Sequence, residues 1–586
     1  MRFYIGKRTS ESLKLRVRGF ISHSFTQPNS ATHARHEGTI GDFWWCCAWE
    51  EITLGPDSTC LIRTDDSVLL KSGSPMRGGC LLDDPRSVIE GDTDGSFLAI
   101  SITRERVMLY TDYFEQYPVY IRGSFELSNV PGVLVRPGDQ LRLDSVREFL
   151  MMGTTLASEP CLSASVQRLR PAGDSPLVCD RWATMRSSSL VDFRLPPSRA
   201  DLGGSVEAAS EALVEGIRCL SDASSSDLWL QLTGGRDSRL LLGACLAAGL
   251  RPRGLTLAIS AEPGYPETRD VAIARMLCAR FGLEHHVIPV APVWADVQGE
   301  DFSSIRRLLV DRGPGTVSLE DCTGFSCCVP RGLRMIEGVG GEIVRGGFDH
   351  LVGPLARHAP HRRADVDAKT IADVVSDRLS SGKDLLTADS YPTVQKGIER
   401  LAQELVDGGV SSQDLSEALM VHYVKRWHAA KSDLNRGPDE VFSPLLWSKF
   451  VMSGMRVEPN ARLEACLIRT CTERWLSGSQ DIPFASRSVL YGTVSERRPS
   501  VVWGRMRSET ERARPGTVGK SFDIAHAARE VWPVAADCIE LLLSDKTRSL
   551  IDGASRKGDE QQLLVTPSSA VLSRLLVVLD WVNKYF

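Results

Sequence analysis

The chain has 586 residues, 42% of them hydrophobic, and a formal net charge of −5 at pH 7. That length exceeds one ordinary core and predicts two domains, while the charge excludes the broad basic field of a nucleic-acid binder. The 15 cysteines contain no CxxC pair and no Cys/His spacing suited to zinc, so reduced thiols and a cytoplasmic location are expected.

Met1 to Gly41 contains no long apolar segment, which argues against a signal peptide. Strand-like pieces with glycine turns fill roughly the first third of the chain. Cys46 and Cys47 lie within Phe43-Trp44-Trp45-Cys46-Cys47-Ala48-Trp49, where apolar neighbours predict buried small hydrophobes rather than reactive thiols. Further strand-like runs are Gly91 to Ile100, Val107 to Asp112 and Tyr117 to Tyr120. Arg194-Leu195-Pro196-Pro197-Ser198-Arg199 is the best linker, placing domains at 1–197 and 198–586. Ser205 to Leu220 then reads as an amphipathic helix.

The stretch Leu228 to Leu232 is an apolar strand that runs into Thr233-Gly234-Gly235-Arg236-Asp237-Ser238 and then into a helical pattern through Leu246. Gly234 and Gly235 allow a sharp turn and close approach to an anion, with the next helix's amides and dipole facing it. Thr233 and Ser238 add hydroxyl donors, and a carboxylate at Asp237 suits such a place when a divalent cation lies between it and phosphates. The loop reads as a magnesium–nucleotide site; the alternative is a glycine turn with a polar cap. It is not a Walker loop, because no Gly-Lys-Ser/Thr follows the glycines.

Arg253 to Ile259 is a second apolar run, Val271 to Phe281 a helix, and Val287 to Val290 a third run, an alternation that predicts a parallel sheet. Glu267 and Asp270 read as first-turn partners of the helix dipole, and His285 and His286 as partners of a helix end. A second acidic glycine turn spans Glu337 to Phe348 and contains Gly340, Gly341 and Glu342. Two carboxylates on separate glycine turns, Asp237 and Glu342, would make a metal clamp for a leaving pyrophosphate, the alternative for Glu342 being a solvated loop acid; Arg345 serves phosphate or a neighbouring acid. Arg357 to Asp373 is basic with no clear strand and reads as a surface segment. The longest apolar runs, near Leu240 and Leu575, are too short to cross a bilayer, and Val571 to Trp581 closes the chain as an amphipathic run.

These motifs together resemble the asparagine synthetase superfamily. Thr233 to Ser238 is similar to its SGGxDS pyrophosphate loop, with Thr233 for the usual serine. Val339 to Glu342 resembles its second glycine segment, with Glu342 at a position usually held by aspartate. Asn435 to Leu446 resembles its R…PFLD region. The N-terminal runs resemble the strands of a glutamine amidotransferase domain, whose nucleophile is a cysteine following Met1; Arg2 stands there in this chain. The resemblance implies a glutaminase-like αββα domain lacking its nucleophile, followed by an ATP-pyrophosphatase domain with a parallel sheet flanked by helices.

Members without that cysteine include β-lactam synthetases and lasso peptide cyclases. Val339 stands where β-lactam synthetases carry tyrosine and asparagine synthetases glutamate, and a valine moves no proton. Ser549 to Gly553 and the closing run look more like lasso cyclases. That branch implies ATP and Mg²⁺ as cofactors, with Asp237 and Glu342 on the metal and the Gly234 and Gly235 amides on pyrophosphate. Leu232 with Leu257 or Ala258 would line the adenine slot. Arg507 occupies the place of a catalytic lysine, and Lys520 is the first lysine beyond it. The substrate implied is a leader-cleaved core peptide, bound in a cleft between domains, and the partners a leader peptidase and a leader-binding protein. The alternatives are a small-molecule amide synthetase and a catalytically degenerate scaffold.

Overall fold

In the computed structural model of the protein the described residues are 2–7, 10–23, 33–50, 59–77, 80–82, 85–89, 93–123, 125–169, 177–180, 201–222, 228–259, 269–290, 333–348, 367–434, 440–484, 542–544, 547–548 and 569–585. The first half is two antiparallel sheets. One has the order β11 (Val166–Arg168), β9 (Tyr120–Arg122), β10 (Glu126–Ser128), β1 (Arg2–Lys7), β3 (Phe43–Glu50), β2 (His33–Ile40). The other has the order β12 (Leu177–Asp180), β8 (Arg106–Thr111), β7 (Asp94–Thr103), β5 (Ser67–Arg77), β4 (Thr59–Arg63), with β6 (Cys80–Leu81) beside β5.

Strand parity decides how these sheets stack. Successive side chains point to opposite faces, and β3 is apolar on both. Phe43, Trp45 and Cys47 meet Val68, Leu70, Leu98, Ile100 and Val107 of the second sheet, so the sheets pack face to face. Trp44, Cys46 and Ala48 turn outward against Val17 and Ile21 of α1 (Glu11–His23). On the far side, Val88 of α2 (Pro85–Ile89) covers Phe97 and Ala99. The layers are helix, sheet, sheet, helix. Cys46 and Cys47 are fully buried, and burial pushes the Cys46 thiol up to about 12 and raises Cys47 as well, as expected for small hydrophobes.

Two short helices, α3 (Pro131–Leu134) and α4 (Leu143–Met152), lead out of the sandwich. The second half opens with α5 (Leu202–Asp222), the helix expected at Ser205 to Leu220. A five-stranded sheet follows in the order β15 (His285–Val290), β14 (Arg253–Ile259), β13 (Leu228–Gln231), β16 (Arg334–Ile336), β17 (Glu440–Phe442), and every neighbouring pair is parallel. Its connecting helices include α6 (Arg236–Ala247) and α7 (Arg269–Phe281). The remaining helices are α8 (Ala368–Leu379), α9 (Ser390–Asp407), α10 (Leu415–Leu434), α11 (Ser448–Arg456), α12 (Pro459–Leu463), α13 (Cys466–Trp475) and α14 (Ser569–Tyr585). The protein is thus mixed α/β, with antiparallel sheets in one half and a helix-flanked parallel sheet in the other. No helix among the described residues is long and apolar enough to cross a membrane.

Several expectations are corrected by tertiary packing. One continuous core joins Tyr4, Phe149 and Leu150 to Leu230, Ile371, Leu401 and Leu579, while the space between the two antiparallel sheets keeps an apolar cluster of its own. The closing run is not amphipathic in place. Leu575, Leu576, Val577, Val578 and Leu579 are buried in succession, as in a helix enclosed on all sides. Its Arg574 donates to the Met151 carbonyl at the end of α4 and to Ser381 Oγ. The tail of the supposed surface segment at Arg357 to Asp373 is the start of α8, where Ala368, Ile371 and Ala372 are buried. His285 and His286 belong to β15 instead of pairing with a helix end: His285 Nε2 lies 2.9 Å from Thr256 Oγ1 and His286 Nε2 lies 2.7 Å from Glu284 Oε1. The linker at Arg194 to Arg199, and with it the 197/198 boundary, lies outside the described residues.

Candidate functional site

The strand order places a topological switch point at β13. The chain leaves β13 toward β14 on one side and returns to β16 on the other, and the carboxyl ends of the strands at such a point are where open parallel sheets bind ligands. Both acidic glycine turns lie there. Thr233 to Gly235 links β13 to α6, and Glu337 to Glu342 follows β16. They touch: a side chain on Gly338 would meet Ser238 N at 3.2 Å, and one on Gly341 would meet Asp237 Oδ1 at 2.2 Å. Gly340 has a φ of 102°, a left-handed conformation that glycine adopts without strain.

Asp237 is the centre of this contact. Arg345 Nη2 donates to its Oδ2 at 2.8 Å, Arg345 Nε donates to the Gly341 carbonyl, and Oδ1 is buried without a hydrogen-bond partner. Of the two roles open to Arg345, the acid pairing is the one formed. Burial raises the carboxyl of Asp237 against the opposing pull of Arg345 and Arg236. Burial raises Glu342 too, and the neighbouring Asp237 charge adds to it. The Gly340 amide donates to Glu342 Oε2 at 3.2 Å. Two buried carboxylates, one of them raised by the charge of the other, and an orphaned buried oxygen fit a divalent cation, because magnesium takes one or two carboxylates and completes its shell with phosphate oxygens and water. Among the described residues no group of three or more His, Cys, Asp or Glu side chains gathers as a metal site.

The first loop is closed on itself. Thr233 N donates to Ser238 Oγ at 3.1 Å, Gly235 N donates to Thr233 Oγ1 at 3.1 Å, and the two hydroxyls lie 3.0 Å apart. Gly234 N donates to Asp270 Oδ1 at 2.7 Å. In this state, then, the two amides expected to grip pyrophosphate are already donated, and the two hydroxyls are bonded to each other. Asp270 is also more than a first-turn partner of the helix dipole, since it reaches across to the loop.

Leu232, expected at the adenine slot, is fully buried in the core. Leu257 is half-buried on the opposite face, packed against Trp229, Leu255 and Met335. Sequence parity explains the split, because residues two apart along β13 share a face and Leu230 is core as well. The side chain of Ala258 lies outside the described residues, as do Glu267, Arg507, Lys520, residues 435–439 and the segment Ser549 to Gly553.

The structure adds residues that the motifs did not single out. Glu337, Ser443 and His428 form a buried chain: Ser443 Oγ donates to Glu337 Oε1 at 2.8 Å, and His428 Nε2 lies 3.1 Å from Ser443 Oγ. It ties the second glycine turn to the end of β17 and to α10. Arg239, fully buried one turn into α6, donates to the carbonyls of Ile482 and Pro483 and stacks 3.8 Å from the Phe484 ring. Nothing local in the sequence marks these contacts, whose hydrogen-bonded partners are 15 to 244 residues apart.

No family model matches the chain, and no curated protein matches it. Among solved structures it is similar, at 10% identity, to one described as the structure of the allosteric regulatory enzyme of purine biosynthesis. The likeness covers 53% of this chain and 87% of that one with a TM-score of 0.21.

Proposed function

We propose that this chain is an ATP-dependent, AMP-forming ligase that adenylates an Asp or Glu side chain of a short peptide and closes it onto the peptide's own N-terminal amine, in the manner of a lasso peptide cyclase. The observation that carries the reading is the juxtaposition of Asp237 and Glu342, from two glycine turns, at the switch point of a parallel sheet. Asp237 and Glu342 would hold magnesium, which when bound screens the triphosphate charge and favours departure of pyrophosphate. The carboxylate attacks the α-phosphate, pyrophosphate leaves, and the amine then displaces AMP from the acyl adenylate. Holding amine and adenylate on one peptide supplies a high effective concentration. In this reading the acceptor amine is carried by the substrate rather than supplied as ammonia from glutamine. A leader peptidase and a leader-binding protein are the partners this reading brings with it.

The test is the full chain with ATP, Mg²⁺ and candidate core peptides. The product should be lighter by one water, about 18 Da, with AMP formed in step, and an N-acetylated peptide should support ATP–pyrophosphate exchange without cyclising. Asp237→Asn should nearly abolish exchange while leaving the fold intact. Formation of ADP, or of an amide between ammonia and a free amino acid, would replace this reading with a small-molecule synthetase. A second reading, a scaffold without turnover, is favoured by the loop amides being already donated and by Arg345 on Asp237. Absence of any exchange across the peptide set would select it.

A further inference from the structure

We propose that Asp270 is an internal occupant of the anion seat in the Thr233–Ser238 loop, a carboxylate that a pyrophosphate or triphosphate must displace. The inference rests on the nucleotide reading above and deepens it: the affinity of the site for phosphates is set by competition with Asp270 rather than by the loop alone.

Two of the three described amide contacts of the loop are made within it, to the neutral hydroxyls of Ser238 and Thr233. The third is different in kind. Gly234 N donates at 2.7 Å to a carboxylate that arrives from the first turn of α7, 36 residues further on. A single N–H cannot serve a carboxylate and a phosphate oxygen together, and two anions converging on one donor repel each other. Asp270 therefore fills the Gly234 donor in the way a phosphate would.

Loop geometry does not depend on this bond. Leu232 N donates to the Leu255 carbonyl, and Thr256 Oγ1 donates to the Leu232 carbonyl. Thr233 N, Gly235 N and the paired hydroxyls of Thr233 and Ser238 supply three more anchors. With these in place, removing the Asp270 charge leaves the loop folded and its Gly234 amide available. Asp270 then acts as a threshold: weakly bound or singly charged anions fail to displace it, whereas a magnesium-bound polyphosphate, drawn also by the Asp237 and Glu342 pair, succeeds.

The experiment titrates magnesium pyrophosphate, and separately magnesium ATP, into the full wild-type chain, Asp270→Asn and Asp270→Ala, and records the melting temperature of each protein. Asp270→Asn keeps an acceptor oxygen without the charge, and Asp270→Ala removes both. Pyrophosphate should bind both variants more tightly, by on the order of tenfold in Asp270→Ala, the size of one competing charge-assisted hydrogen bond. The unliganded variants should melt lower than wild type. Opposite signs in affinity and stability separate a competitor from a support. Equal or weaker pyrophosphate binding by both folded variants, with wild-type binding intact, would overturn the inference alone. Failure of all three proteins to bind either ligand would overturn the nucleotide reading and this inference with it.

Discussion

Gly341→Ala isolates the contact between the two glycine turns. A methyl group there would lie 2.2 Å from Asp237 Oδ1, 2.4 Å from its Cγ and 2.9 Å from Oδ2, so the carboxylate has to move. Moving it breaks the 2.8 Å bond from Arg345, whose side chain and that of Asp237 are only 11% and 18% exposed. A hydrogen bond to a charged group contributes roughly 1.5–3 kcal/mol, and a side chain forced off its rotamer costs about 0.5–1.5 kcal/mol. Together these put the local penalty at about 2–4.5 kcal/mol; if it is felt in full at the transition state, ATP–pyrophosphate exchange falls by roughly 30- to 2000-fold. Circular dichroism should remain that of the wild type, because Gly341 lies in a turn and not in the core sheet. Gly338→Ala is the control: its methyl group would meet Ser238 N at 3.2 Å and Asp237 Cβ at 3.3 Å, distances that small shifts relieve. Full exchange in Gly341→Ala, or a larger loss in Gly338→Ala, would refute the wedged carboxylate.

Other parts of the fold yield further tests. Arg462 is fully buried and donates to Asp414 and to Glu417, so Arg462→Ala removes the cation shared by two buried acids and should cost about 3–5 kcal/mol in denaturant titration; a loss under 1 kcal/mol would contradict the pairing. Burial raises Asp112 from 3.8 to about 7 although the amides of Phe97, Phe114 and Gln116 donate to it. The folded state then holds that proton more tightly than the unfolded chain. The contribution of Asp112 is complete below pH 4, is lost as pH rises toward 7, and amounts to at most roughly 4 kcal/mol. Asp112→Asn should flatten that slope in denaturant midpoints taken from pH 4 to 8, and parallel slopes would sink the assignment. If the acceptor amine is carried by the substrate, as proposed, the purified chain should release no glutamate from glutamine, and glutamine should leave ATP use unchanged.

Local signals in the sequence carried the strand, turn and helix around Thr233 to Ser238, because a glycine pair between an apolar run and a helical pattern leaves the backbone few options. The alternation of β13, β14 and β15 with helices gave the parallel sheet for the same reason, and the apolar setting of Cys46 and Cys47 gave their burial. What stayed hidden depended on partners distant in the chain. Asp270 looks like any first-turn acid until its 36-residue reach to Gly234 is seen. Arg345 had a choice between phosphate and acid that only the closeness of Asp237 decides. The full burial of Leu232 comes from residues packed on its face of the sheet, which its own local pattern does not reveal. The closing helix reads as one-faced, since nothing in its own pattern tells that the first half of the chain covers the other side.

That helix has a consequence for synthesis. Arg574 and the apolar residues after it complete the packing around α4, 423 residues upstream of the bond to the Met151 carbonyl. On a ribosome adding about 5–20 residues per second, the emerging first half waits roughly 20–85 s before its last packing partner is made. During that interval the α4 surface is a greasy, unfinished face in a crowded cell, the kind of surface chaperones hold. Truncation of the final helix should make that exposure permanent.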